Sequence, residues 1–350
     1  MKRRFAPFFA IVLATAFLFT GCGEMDPNAA LVTITNNGQT DTVSLGYGNF
    51  VARYNQAVMD QYYGSYLSDN MWNEDLYGNG NTLEEDTKGN VLDQIKEEYL
   101  CKLHADDYGV TVSDEQTAAI DEAVNTFITE NTEKALSAVG GSEEYAKTML
   151  LNQTYNELVK AKIEEEAERK IEITDEEANQ STISYVLFST DDVTTDDGDI
   201  VPLTDEEIEA LKADAQELSE AEDYDKVAED KGQTVLTYSY TTAGDASEDD
   251  VLGEDVISAA QKLKEGEVSS VIEVKDEGYY VIRKDSEFDE SATESKRSAL
   301  HTDKIEEYYQ NKLDEWGAEL TWTVDESQWK KVTFSNLFTA VYDATEDESE

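Results

Sequence analysis

Two short stretches limit the possible folds more than anything else in the chain. Ile183 to Phe188 reads ISYVLF, and Leu263 to Arg283 reads LKEGEVSSVIEVKDEGYYVIR. The first is an apolar run of strand length, rich in β-branched and aromatic residues. The second holds a helix end, a stop at Gly266 and an extended run through Val268, Val271, Ile272 and Val274. A Lys-Asp-Glu-Gly turn and a second strand, Tyr279 to Arg283, follow. Between them Thr204-Asp-Glu-Glu207 caps a helix that turns Ile208, Leu211, Ala215 and Leu218 inward. Val235 to Tyr240 reads as a middle strand and Asp255 to Leu263 as the next helix. From Ser181 to about Ser286 the order is therefore strand, helix, strand, helix, strand, strand.

The flanks have a different period. Leu31 to Leu45 reads as a hairpin turned by Asn37-Gly38. A helix with a Tyr-rich face follows from about Asn49 to Trp72, and polar, Gly-rich Asn79 to Asn90 reads as a loop. Leu92, Ile95, Tyr99 and Leu103 recur at helical spacing up to Tyr108-Gly109. A capping box at Ser113-Asp-Glu-Gln116 opens a helix with Ile120, Val124 and Phe127 on one face. A long amphipathic helix runs from Ser142 to about Arg169, and Thr174-Asp-Glu-Glu177 caps a short turn. After Ser286 a final helix carries Ile305, Tyr309, Leu313 and Trp316 and stops at Gly317. The tail from Ala344 is acidic, a composition that does not fold. The fold class is α+β.

Lys2, Arg3 and Arg4, an apolar run from Phe5 to Phe19, and Thr20-Gly21-Cys22 make an export signal too short to span a membrane. The cysteine after Thr-Gly resembles a bacterial lipobox, which implies a mature chain that begins at a lipidated Cys22. Removing the signal's three cations lowers the Lys+Arg count from 27 to 24 against 78 Asp+Glu, a formal charge of −54. Nucleic acid needs a basic footprint, so it is not an expected partner. Only Cys101 remains after Cys22, which leaves no disulfide framework. His104 and His301 lie far apart, and with one free Cys they supply no zinc set. Asp191, Asp192, Asp196, Asp197 and Asp199 cluster. In an EF-hand frame set on Gly198, however, Val193 and Thr204 fall at the first and last ligand positions, so the segment reads as a charged loop. No metal or cofactor is expected.

The segments ISYVLF and GEVSSVIEVKDEGYYVIR resemble the first strand and the last helix and strand pair of a parvulin, a type of peptidyl-prolyl isomerase. Helices before and after such an insert resemble the exported foldases of the PrsA and SurA type. The resemblance implies a helical chaperone module built from N- and C-terminal helices, with an inserted parvulin-like domain whose antiparallel-rich sheet is flanked by helices. The implied division is 1–21 leader, 22–30 lipidated tether, 31–178 N-terminal hairpin and helical region, 179–286 parvulin-like domain, 287–330 returning C-terminal helix and 331–350 acidic tail. Parvulins usually carry a histidine in each of two strands; Tyr185 and Tyr280 stand at the matching positions. A gapless match places Leu252, Val256 and Gln261 where the proline pocket's apolar and aromatic residues are expected, with Tyr238 in the middle strand.

X-Pro isomerisation needs no nucleophile, only a grip on the ring and preference for the twisted amide. A tyrosine hydroxyl donates and accepts hydrogen bonds but stays neutral near pH 7. The expectation is a membrane-anchored extracytoplasmic foldase and chaperone for exported polypeptides, with its isomerase chemistry weakened. Tyr54, Tyr62, Tyr63, Tyr66, Met71 and Trp72 are candidates for a client surface, or else helix core. The alternatives are an active isomerase that uses the tyrosine pair, and a solute-binding or adhesion lipoprotein.

Overall fold

Asn37 and Gly38 take the two positive-φ positions of the first hairpin, at 49° and 80°. Such turns match the twist of paired strands, so Ala30–Asn36 and Gln39–Ser44 run antiparallel with Asn36 opposite Gln39. The computed structural model describes residues 13–15, 25–63, 70–194, 200–243, 251–334 and 338–340. Among these residues every strand pairing is antiparallel, and the architecture is α+β. No described helix is long and apolar enough to cross a membrane. The chain divides into two compact units, residues 1–169 with 307–350, and residues 170–306. Helix Glu290–Ala318 begins in the second unit and ends in the first.

In the first unit, helices Leu45–Tyr63, Leu83–Leu103, Asp114–Glu130, Glu133–Val139 and Glu143–Glu168 pack on the hairpin. Ser113 and Gln116 form the expected capping box. A second one, Thr82 with Glu85, starts a helix at Leu83. This corrects the loop expected over Asn79–Asn90: the glycines and asparagines masked a box worth about 1 kcal/mol. Met71 and Trp72 are fully buried in the core and are not client surface, whereas Tyr62 is exposed. Tyr66 lies outside the described residues.

The end of the chain also differs from expectation. Thr321–Val324 is a strand that pairs with Ala30–Asn36, with Trp322 opposite Ile34. Val332, Phe334 and Phe338, which fall in the stretch expected as an acidic tail, are buried core residues. Polar side chains hold these residues there. Lys88 Nζ donates to the Val332 carbonyl at 2.7 Å, and the amides of Phe334 and Phe338 donate to Glu84 and Asp60, each at 2.9 Å. Trp72 Nε1 donates to the other Asp60 oxygen at 2.8 Å, and its ring meets that of Phe334 edge-on at 4.8 Å. Phe338–Ala340 pairs with Leu13–Thr15. Cys22 and the residues from 341 onward lie outside the described residues.

The second unit is built on a four-stranded sheet in the order Leu236–Thr241, Gln180–Ser189, Gly278–Ser286, Ile272–Val274. Side chains alternate between its faces. Val186, Phe188, Tyr279 and Val281 pack under helices Asp205–Ser219 and Tyr224–Asp230. Ile183, Tyr240, Tyr280 and Ile282 pack under the short helix Glu254–Ala260. Val193–Thr194 and Ile200–Val201 form a two-stranded pair within the acidic loop, whose Asp196, Asp197 and Asp199 are outside the described residues.

Candidate functional site

The register of the central strand Gln180–Ser189 sets the site. Leu187 stands opposite Tyr280 and Tyr185 opposite Ile282, so Tyr185 and Tyr280 are diagonal neighbours on one face. Their ring centroids lie 6.1 Å apart with planes tilted by 36°. Of the Tyr279-Tyr280 pair, only Tyr280 belongs here, because alternation sends Tyr279 to the other face.

Tyr280 is buried at 5 % exposure, and Tyr185 is half-buried. The Tyr280 hydroxyl donates to Glu277 Oε2 at 2.6 Å. The turn makes this reach possible, with Asp276 at φ 65° and Gly278 at φ 134°. A Cβ at Gly278 would stand 2.2 Å from the Phe188 carbonyl oxygen, so the hairpin closes only with glycine there. Burial raises the Tyr280 pKa, and the Glu277 hydrogen bond and charge raise it further. The phenol therefore stays protonated across ordinary pH. A neutral hydroxyl already donating to a carboxylate is a fixed donor and not a proton shuttle.

Leu252 and Val256 are fully buried in the same cluster as Tyr280, and Tyr185 and Tyr238 pack against its edge. Gln261 does not join them. It caps the C-terminus of Glu254–Ala260 and is exposed. Five residues at about 100° each carry it well away from the direction of Val256.

Sequence reasoning missed two groups. Glu277 was visible as the acid of the turn three residues before Tyr280. Lys284 follows Tyr280 and Ile282 on the same alternation and stands opposite Ile183. It is buried, and its ammonium donates to the Tyr240 hydroxyl. Burial lowers the Lys284 pKa and raises that of Tyr240. On the other face, Arg283 ties Asp285 to Asp225 through bonds of 2.8 and 2.7 Å and lies over the Tyr224 ring.

Residues 189–294 match the family model of the PPIC-type PPIASE domain. This segment is a PPIC-type domain. The PPIC-type segment takes in Tyr238, Leu252, Val256, Glu277 and Tyr280 and begins after Tyr185. No curated protein matches the chain. Among solved structures it is similar to the foldase PrsA of Streptococcus pneumoniae, at 16 % identity and TM-score 0.30, covering 74 % of this chain and 97 % of that one. PrsA of Bacillus cereus gives 16 % and 0.29, with 75 % and 97 % covered. A structure described as SurA-like chaperones of Campylobacter jejuni gives 12 % and 0.24, with 85 % and 100 % covered. Likeness at this level bears on neither activity nor substrates.

Proposed function

We propose that the protein is an extracytoplasmic foldase that holds exported polypeptides while they fold, tethered to a membrane through lipid on Cys22. In this reading its PPIC-type domain keeps the fold of an isomerase with little of the chemistry. The observation that carries the reading is the tyrosine pair. Tyr185 and Tyr280 touch at 6.1 Å beneath Leu252 and Val256, and the Tyr280 hydroxyl is committed to Glu277. A pocket for the proline ring needs open apolar space, and here both apolar residues are already enclosed by neighbours. The helical first unit then supplies client binding. The test is light scattering from an unfolded secreted protein with and without the full chain. The proposal expects slower aggregation at near-equimolar chain; an unchanged time course sinks it. Radiolabelled palmitate on the wild type but not on Cys22→Ala checks the anchor.

A second reading is an active isomerase. The half-buried Tyr185 favours it, since that phenol leaves part of one ring accessible beside Tyr280.

A further inference from the structure

The first unit holds a cavity of about 240 Å³ between the hairpin strand Gln39–Ser44 and helices Leu45–Tyr63, Leu83–Leu103 and Glu143–Glu168. Its aromatic walls are Tyr47, Tyr99 and Tyr145, its acidic groups are Asp41 and Glu144, and among the described residues no lysine or arginine lines it. Asp41 and Glu144 are exposed while Tyr47 and Ile95 are buried, so the carboxylates stand at the mouth and the floor is apolar.

The helix that supplies Ile95 and Tyr99 also carries a buried carboxyl with no salt bridge among the described residues. Glu98 is on the same helix as the lining residues Ile95 and Tyr99, and it is 3 % exposed. Gln94 Nε2 donates to its Oε1 at 2.8 Å, but its Oε2 is buried with no hydrogen-bond partner among the described residues. Glu98 is close enough to the Tyr47 phenol for its charge to raise that group's pKa. Lys102, one turn further along the same helix, has its ammonium donating to Asn152 Oδ1 at 3.0 Å. Asn152 in turn reaches the Tyr47 hydroxyl at 3.5 Å, so it stands between Lys102 and Tyr47. A buried carboxyl with an unmet oxygen is costly and is usually retained where something compensates it.

Aromatic faces and carboxylates together favour an organic cation. Pockets for whole small molecules usually span about 300–1,000 Å³, so this one suits a single side chain. A lysine fits, because its four-carbon stem lies along apolar walls while its ammonium finds charge. The net charge of −51 draws basic segments toward the chain.

We propose that this cavity binds the side chain of a lysine presented by an extended polypeptide. The inference rests on the client-binding reading above and names the chemistry by which the first unit would select a client segment.

Calorimetry with the full chain tests it, using a blocked glycine–serine peptide with one central lysine, the same peptide with norleucine, and n-butylamine. The lysine peptide should bind about tenfold more tightly than either control, and Asp41→Asn with Glu144→Gln should weaken it by about tenfold. Glu98→Gln should weaken it too while leaving the chain folded and more resistant to urea at pH 8, which separates lost binding from lost structure. Equal binding of the norleucine peptide would overturn the proposal, as would indifference to the double substitution. Butylamine binding as tightly as the lysine peptide would also overturn it, by marking a site for free amines. Client aggregation measured alongside keeps the two readings apart. Lysine binding without suppression rejects the foldase and leaves the site standing, whereas suppression without lysine binding rejects the site alone.

Discussion

Replacing Glu98 by glutamine should make the first unit more stable as pH rises, the reverse of what deleting a native contact usually does. Burial pushes the Glu98 carboxyl up from 4.5 to about 7, with neighbouring Glu97 adding to the shift and only Gln94 opposing it. Below pH 4.5 both folded and unfolded chains hold the proton, and the group costs nothing. Between 4.5 and 7 the unfolded chain releases it while the folded chain keeps it. The unfolded state then binds fewer protons, and stability falls with pH until both states are ionised. A displacement of that size corresponds to roughly 3 kcal/mol across the window. Glutamine keeps the shape and removes the titration, so the variant should gain about 2–3 kcal/mol on the wild type between pH 4.5 and 8. Urea unfolding followed by tryptophan fluorescence reads this directly, because Trp72, Trp316, Trp322 and Trp329 all lie in the first unit. A difference between variant and wild type that does not change with pH would refute the reasoning.

Further outcomes follow from the packing. Gly278→Ala should open the hairpin beneath Tyr280, since the new Cβ meets the Phe188 carbonyl; hydrogen exchange along 180–189 and 278–286 should rise, and unchanged protection would contradict it. Phe188→Ala, at a fully buried position on the central strand, should cost about 3–5 kcal/mol in the second unit, read as protease susceptibility of that unit. Asp60→Ala strands the Trp72 indole and the Phe338 amide; it should cost about 2–4 kcal/mol and expose the segment after Val332 to early proteolysis, and retained protection would count against that docking.

What was legible in the sequence was local. Asn37-Gly38 announced its hairpin because only that turn geometry asks for two such residues, and the capping boxes at Ser113, Thr174 and Thr204 appear where their spacing put them. Tyr185 and Tyr280 came together because strand alternation and antiparallel order fix which residues share a face. The helix from Leu83 was equally local, but Thr82 and Glu85 were hidden among glycines and asparagines. The burial of Val332, Phe334 and Phe338 was not legible. Their partners Lys88, Glu84 and Asp60 lie more than two hundred residues away, at separations of 244, 250 and 278. Their own surroundings are polar, and no period announces a docked segment. Glu98 was invisible for a related reason, since nothing in an acidic helix distinguishes the one glutamate that faces inward.

The most direct test of the central claim is a protease-coupled proline-peptide assay on the full chain, beside Tyr185→Phe and Tyr280→Phe. Uncatalysed X-Pro exchange takes tens to hundreds of seconds, so even a weak catalyst stands out. The wild type should stay close to the spontaneous rate, and neither substitution should change it. A clear acceleration lost in Tyr280→Phe would contradict that expectation and make the tyrosine pair an active site.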